Sequence, residues 1–263
     1  VLDLPTHPPL ARRGEDGRRL LLDEIDRIGA RVVVNCCGRL RGSEDEMVDA
    51  NVTWPAWLVE VLRDTGVRLV HMGSASEYGD PGSSAPIPET ATPRPSGLYG
   101  ETKWSGSRTV LGARSAGMDA VVARGFNFVS RDLPEVSPLF EFRAAVEALP
   151  PAGGEVELWW PGTVRDFIAL DDMGEAVARL ALAPEVPDIV NVCSGVGVSF
   201  ADVVRALGAA TGREVRIRSL DRPGIPAVVG DPARLRSVTG LSPAMSAERI
   251  AELVCGPPRA GRN

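Results

Sequence analysis

Histidine is nearly absent from this chain. It has two, His7 and His71. A Ser-His-Asp triad would need one of them, and neither sits in a nucleophile-elbow context. The same shortage leaves too few ligands for a zinc site, so no metal is expected. Cysteine is sparse as well. Cys36, Cys37, Cys193 and Cys255 form no CxxC pair and no disulfide framework, a usage that suits a reducing, cytoplasmic setting. No basic block is present: the net charge is −6 and the two signs interleave. Nucleic acid is therefore not an expected partner. No apolar run is long enough to span a bilayer, so a membrane is not expected either.

What is present suits one large α/β domain or two linked ones. The chain has 263 residues, 44% of them hydrophobic, enough to bury a core without covalent staples. The pattern predicts a buried strand over 32–37, a helix over 51–63 ended by Thr65-Gly66, and a strand over 67–72. A long helix over 100–116, stopped by Gly117, and a strand over 120–124 follow. This alternation predicts a parallel sheet with helices on both faces. The second half is less regular, with loop signals at 134–138 and 150–154. Asp172 and Glu175 have capping-box spacing before a helix reaching Leu182. A strand over 189–193, a helix over 200–211 closed by Gly212 and a strand over 215–219 complete the pattern. The tail, 257–263, reads as frayed.

The strand over 67–72 runs into Gly73-Ser74-Ala75-Ser76-Glu77-Tyr78-Gly79. In doubly wound sheets, ligands bind outside the carboxyl ends of the strands. Downstream, Tyr99-Gly100-Glu101-Thr102-Lys103 opens the long helix, so Tyr99 and Lys103 share one face. An ammonium close to a phenol favours the phenolate. It can lower the usual value of ~10 by roughly 1–3 units. Such a phenol exchanges protons with a substrate hydroxyl near neutral pH. Alone, Tyr-x-x-x-Lys reads equally as an exposed aromatic and a solvated lysine. A strand, a Ser-rich turn, a Pro-rich loop over 81–95 and then this motif point to catalysis.

These segments, in this order, resemble the extended short-chain dehydrogenase/reductases of the NAD-dependent epimerase/dehydratase family, of the sugar-nucleotide 4-epimerase and deoxysugar 4-ketoreductase types. The resemblance implies an α/β, Rossmann-type doubly wound parallel sheet over 1–127. A smaller α/β substrate-binding part over 128–263 follows, of which 164–193 can return to the first domain. It implies Ser74, Tyr99 and Lys103 as catalytic groups. It implies NAD as cofactor, with NADP as the other option, held by Asp3, Cys36, Cys37, Gly38, Asn51, Tyr99 and Lys103. The nucleotide-sugar partner would meet Ser74, Ser76, Asn127, Arg165 and Arg222. Of these, Asn127 closes Arg124-Gly125-Phe126-Asn127. Arg165 opens the Arg-Asp-Phe segment, and its guanidinium suits a diphosphate. A homodimer through helices 51–64 and 100–116 is implied too.

The chain departs from the family in places. The glycine-rich dinucleotide turn is missing. Gly14-Glu15-Asp16-Gly17 follows no strand. Ser194-Gly195-Val196-Gly197 has Phe200 where a third glycine belongs and reads as a plain turn. The first strand, the turn and the first helix, ~30 residues, are therefore expected upstream of Val1. Val1-Leu2-Asp3-Leu4 would then be the second strand, with Asp3 on the adenosine ribose. The stretch over 5–22 is short for the expected third strand.

Ala75 and Ser76 replace the Asp-Glu pair of the 4,6-dehydratases, which argues against elimination of water. Phe128-Val129-Ser130-Arg131 replaces the usual Tyr-Gly-Pro, so the substrate loop is reshaped, with Arg131 either a phosphate contact or a surface arginine. Cys36 and Cys37 read as small packing residues, and His71 as a satisfied core histidine. Trp159 and Trp160 read as a base-lining pair or a buried strand edge. Asp171 and Asp172 read as serving a helix N-terminus. The expected activity is epimerisation or reduction at C4 of a nucleotide-activated hexose through a 4-keto sugar. An acidic Asp3 leans it toward the epimerase. A deoxysugar 4-ketoreductase, a non-catalytic dinucleotide sensor and a reductase of a non-sugar ketone are the alternatives.

Overall fold

The computed structural model describes residues 13–133, 135–220 and 224–256. Its centre is a parallel sheet of β1 (Val32–Asn35), β2 (Arg68–Ser74), β3 (Ala120–Gly125) and β7 (Ile189–Val192), in the order β1-β2-β3-β7. Leu69, Val70 and the whole run from Ala120 to Ala123 are fully buried. Strands apolar on both faces need cover on both faces. Helices α1 (Glu15–Ile28), α3 (Trp54–Leu62) and α4 (Gly97–Ser115) supply one side, through Leu21, Leu58, Leu62 and Val110. Helices α6 (Leu170–Leu182) and α8 (Ala233–Thr239) supply the other, through Met173, Leu180 and Leu235. The expected doubly wound α/β sheet is therefore present.

A second sheet has the order β10 (Ala227–Val228), β6 (Val164–Ala169), β4 (Asn127–Val129), with β8 (Gly197–Ser199) antiparallel to β6. A third pairs β5 (Gly154–Leu158) with β9 (Val215–Ser219). Helices α5 (Pro138–Glu147), α7 (Phe200–Ala210) and α9 (Ala247–Cys255) enclose an apolar core between them. Within 164–193, β7 joins the first sheet through β3, and β6 belongs to the second.

Several boundaries differ from the sequence pattern. β1 stops at Asn35, so both cysteines fall in the following loop. The expected helix over 51–63 starts earlier. Ser43 and Glu46 make a capping box that opens α2 (Glu44–Val48), and a π-helical turn (Asp49–Thr53) joins α2 to α3. α4 begins at Gly97, which puts Tyr99 inside its first turn. Asp172 and Glu175 form no capping box. Ala169 holds the N-cap without a side-chain bond, and Asp171 and Asp172 lie in the first turn, where their charge meets the positive end of the helix dipole. Gly14-Glu15-Asp16-Gly17 opens α1 rather than a phosphate turn. Trp159 is not a buried strand edge: it is 66% exposed, beyond the end of β5.

Candidate active site

β2 runs two residues past the expected end, and its last residue is Ser74. There the chain turns into a single 3-10 turn, Ala75–Glu77, closed by a capping box. The Ser76 amide donates to Ser74 Oγ at 3.2 Å, and the Ser74 amide donates to Glu77 Oε1 at 2.8 Å. Ser74 is thus held at the carboxyl end of the central strands, nearly buried.

Tyr99 arrives from the first turn of α4 and meets the Ser74 side chain. That helix lies close against the Ser-rich turn because position 100 is glycine. A Cβ there would stand 2.8 Å from the Ser76 carbonyl oxygen. Burial pushes the Tyr99 phenol up from its ordinary value. The Ser74 hydrogen bond pulls it back, and the Glu77 carboxylate pushes it further up. Lys103 lies one turn on, 4% exposed. Its ammonium donates to the Met72 carbonyl at 2.5 Å. The expectation that this ammonium lowers the Tyr99 phenol is not met. The shared helix face is there, but the charge is drawn down to the end of β2. Burial pushes the Lys103 ammonium down, against the pull of Glu77.

The loop after β1 faces Lys103. Cys36 is exposed and Cys37 half-buried, so Cys36 is not a packing residue. A Cβ on Gly38 would stand 3.6 Å from Lys103 Nζ and 3.3 Å from Asn51 Oδ1. Asn51 itself is fully buried. Its side chain accepts from the Arg39 amide at 2.8 Å and donates to the Arg39 carbonyl at 2.8 Å and to Thr102 Oγ1 at 3.0 Å. Thr102 in turn donates to the Tyr99 carbonyl at 3.1 Å. Asn51 is therefore committed to protein groups, and it shapes the Gly38–Arg39 loop and ties that loop to the first turn of α4. The π-helical turn presents it, in keeping with the frequency of such turns at functional sites.

Of the remaining residues named from sequence, Ser76 lies in the Ser-rich turn itself, exposed, with its amide on Ser74 Oγ. Asn127, also exposed, donates to the Asp166 carbonyl at 2.8 Å. Arg165 is half-buried, and its Nη1 donates to the carbonyls of Val164 and Ile225 at 2.9 and 3.1 Å. Neither Asn127 nor Arg165 hydrogen-bonds Ser74, Tyr99 or Lys103. Arg131 donates to the Cys255 carbonyl at the end of α9, so it is not simply solvated. Asp3 and Arg222 lie outside the described residues.

Three buried groups escaped the sequence pattern. Glu77 is fully buried and pairs with fully buried Arg124, Nε to Oε2 2.8 Å. Ser107 also donates to Glu77 Oε1 at 2.8 Å. The Ser-x-x-Glu spacing of 74–77 was the available signal. The third group is Asp166, which accepts from the Ser194 amide and hydroxyl and from the amides of Gly195 and Gly230, at 2.7–3.1 Å. The Ser194-Gly195 segment is thus a turn clamped to β6, as the plain-turn expectation had it. His71 is only half satisfied. Asn35 Nδ2 donates to its Nδ1 at 2.9 Å, and its buried Nε2 has no hydrogen-bond partner among the described residues. Burial, and then the Lys103 charge, push its imidazole well below the ordinary value. Among the described residues, no group of three or more His, Cys, Asp or Glu is placed to hold a metal. No described helix is long and apolar enough to cross a membrane.

A parallel sheet covered on both faces, with Ser, Tyr and Lys gathered where β2 ends, defines a Rossmann-type protein. The model of the NAD dependent epimerase/dehydratase family matches residues 16–193, and the chain belongs to that family. It is 32% identical over 205 residues to a dTDP-6-deoxy-L-talose 4-dehydrogenase (NAD(P)(+)) of Kitasatospora kifunensis, covering 76% of this chain and 64% of that protein. It is 30% identical over 187 residues to a UDP-glucose 4-epimerase of Streptomyces lividans, covering 64% and 55% respectively. The chain thus spans less than two thirds of the length of either relative. Among solved structures it is similar to dTDP-glucose 4,6-dehydratase from Bacillus anthracis in complex with NAD. The TM-score is 0.77 at 17% identity, covering 90% of this chain and 76% of that one. The UDP-glucose 4-epimerase of Thermus thermophilus in complex with NAD gives 0.75 at 21%, covering 92% and 81%. These two likenesses show the fold.

Proposed function

We propose that this chain performs NAD(P)-dependent chemistry at C4 of a nucleotide-activated hexose or deoxyhexose, through a 4-keto sugar. The observation that carries the proposal is the gathering at the end of β2: Ser74 is held there by its capping box, α4 is seated against that turn at Gly100 with Tyr99 in its first turn, and the Lys103 ammonium lies one turn behind on Met72. Ser74 would hydrogen-bond the C4 oxygen, and Tyr99 would give that oxygen its proton or take it away.

The residues present fit a dinucleotide. A lysine ammonium has three donors, and Lys103 spends one on Met72. The absent side chain at Gly38 leaves space in front of the rest. Lys103 would hold ribose hydroxyls there, with Cys36, Cys37 and Gly38 lining the approach. A bound nicotinamide supplies or accepts the hydride. Exposed Asn127 and half-buried Arg165 would face the substrate diphosphate, and Ser76 the sugar. The division at 127/128, a homodimer through 51–64 and 100–116, and a cytoplasmic setting belong to the same proposal. The pairing of β7 with β3 supports the return of part of 164–193 to the first domain.

Within this chemistry, 4-ketoreduction is supported by a relative: the protein 32% identical to this chain is named a 4-dehydrogenase. The epimerase lean rested on Asp3, which is not described.

The test incubates the protein with a nucleotide-linked 4-keto-6-deoxyhexose and NADH or NADPH in separate reactions, following nicotinamide absorbance and the sugar product. Stoichiometric loss of reduced cofactor is expected. No loss removes the reductase, and UDP-hexose interconversion with NAD is then measured. Silence in both sinks the proposal. Tyr99→Phe is expected to lose turnover about 10²–10⁴-fold and to keep its dinucleotide affinity.

A further inference from the structure

Glu77 is buried out of contact with solvent, yet its carboxylate accepts three hydrogen bonds beside the Ser74 turn. Its Oε1 accepts from the Ser74 amide and the Ser107 hydroxyl, both at 2.8 Å, and its Oε2 accepts from Arg124 Nε at 2.8 Å. One carboxylate therefore joins β2, α4 and β3. The space it occupies exists because residue 73 is glycine: a Cβ there would stand 2.7 Å from Glu77 Oε1 and 3.2 Å from Arg124 Cγ. Arg124 lies over the Tyr78 ring, 4.5 Å from its centroid, and near Trp104 at 5.4 Å. Its Nη1 and Nη2 are buried against these rings with no hydrogen-bond partner among the described residues. An ion pair that leaves two charged donors unsatisfied is a costly way to fill a core. The contacts with the Tyr78 and Trp104 rings offset part of that cost.

We propose that Glu77, anchored by Arg124, is a positioning residue for the C4 reaction: it holds Ser74 at the end of β2 and sets a negative charge behind Tyr99 and Lys103. The inference rests on the function proposed above. Its geometry is that of the capping box, which fixes Ser74 and points the same carboxylate toward the catalytic face of α4. The groups acting on the Tyr99 phenol are Ser74 and Glu77. The Glu77 charge raises the phenol and also supports the Lys103 ammonium. Removing that charge while keeping the shape lets the phenol ionise more readily.

The chain has two tyrosines, Tyr78 and Tyr99, so ionisation of Tyr99 is readable without turnover. Tyrosinate absorbance is titrated in the wild type, in Glu77→Gln, and in both with Tyr99→Phe added to assign the Tyr99 component. Circular dichroism follows the fold through the titration. The Tyr99 step is expected at lower pH in Glu77→Gln, and the oxidative rate should climb at correspondingly lower pH. If Glu77→Gln fails to fold around the unpaired Arg124 charge, Glu77→Gln/Arg124→Gln removes both charges and carries the same titration. A Tyr99 step at the wild-type pH overturns the proposal and leaves Glu77 as a structural residue only. A wild type that turns over no nucleotide sugar fails the functional proposal instead, and the tyrosinate shift still decides the role of Glu77.

Discussion

Lys103 donates its ammonium to the carbonyl oxygen of Met72 at 2.5 Å, which pins helix α4 to the end of strand β2. The lysine is therefore held in place by a strand end and presents its remaining donors toward Gly38. In the proposed reaction its part would be to hold a ligand and to fix Tyr99 through their common helix, with the phenol tuned by other groups.

Replacing Lys103 with Met keeps the apolar stem and removes the donors. Charge-assisted hydrogen bonds contribute about 1.5–3 kcal/mol each. The dissociation constant for NADH or NADPH should rise by about tenfold or more, measured by calorimetric titration. An unchanged affinity would remove Lys103 from the cofactor site.

Tyr99 sits above its ordinary value of ~10 because burial disfavours the phenolate. Reduction uses the protonated phenol, so the reductive rate should show no Tyr99 limb near pH ~7. Oxidation uses the phenolate, so its rate should climb about tenfold per pH unit throughout the approach to that value. Paired forward and reverse pH–rate profiles check this, and an oxidative plateau below pH ~8 contradicts it.

His71 is fully buried and neutral, with its imidazole held well below the ordinary ~6.5. Its folded value is depressed, so the stability it contributes is present above ~6.5 and is lost as pH falls below it. In that window the unfolded chain takes up one proton more at this site, a slope of about 1.4 kcal/mol per unit. His71→Asn, which can keep a partner for Asn35, should flatten the fall in urea midpoint between about pH 6.5 and pH 5. Parallel curves for the two proteins would contradict this.

Gly106 lets α4 approach the π-helical turn, since a Cβ there would stand 2.1 Å from the Asn51 carbonyl oxygen. Gly106→Ala must push the two helices apart and strain the Asn51–Thr102 bond. The cost should be about 1–3 kcal/mol, typical of overpacking, read from denaturant unfolding. Loss of dinucleotide affinity should accompany it, because Asn51 shapes the Gly38–Arg39 loop.

The sequence by itself determined what depends on neighbours along the chain. Apolar runs marked the four strands of the central sheet, and β9 lies over 215–219 as its pattern predicts. The four-residue spacing of Tyr99 and Lys103 set their shared helix face, and the order of strand, Ser-rich turn and Tyr-Gly-x-x-Lys marked the site. What passed unread was decided by partners far away in the chain. Glu77 meets Arg124 across 47 residues, and Asp166 collects donors from Ser194, Gly195 and Gly230. Asn51 turns inward to Arg39 and Thr102. A buried polar group must find a partner wherever the fold brings one. Only the tertiary structure could therefore decide that Lys103 answers to Met72, and that Tyr99 answers to Ser74 and Glu77.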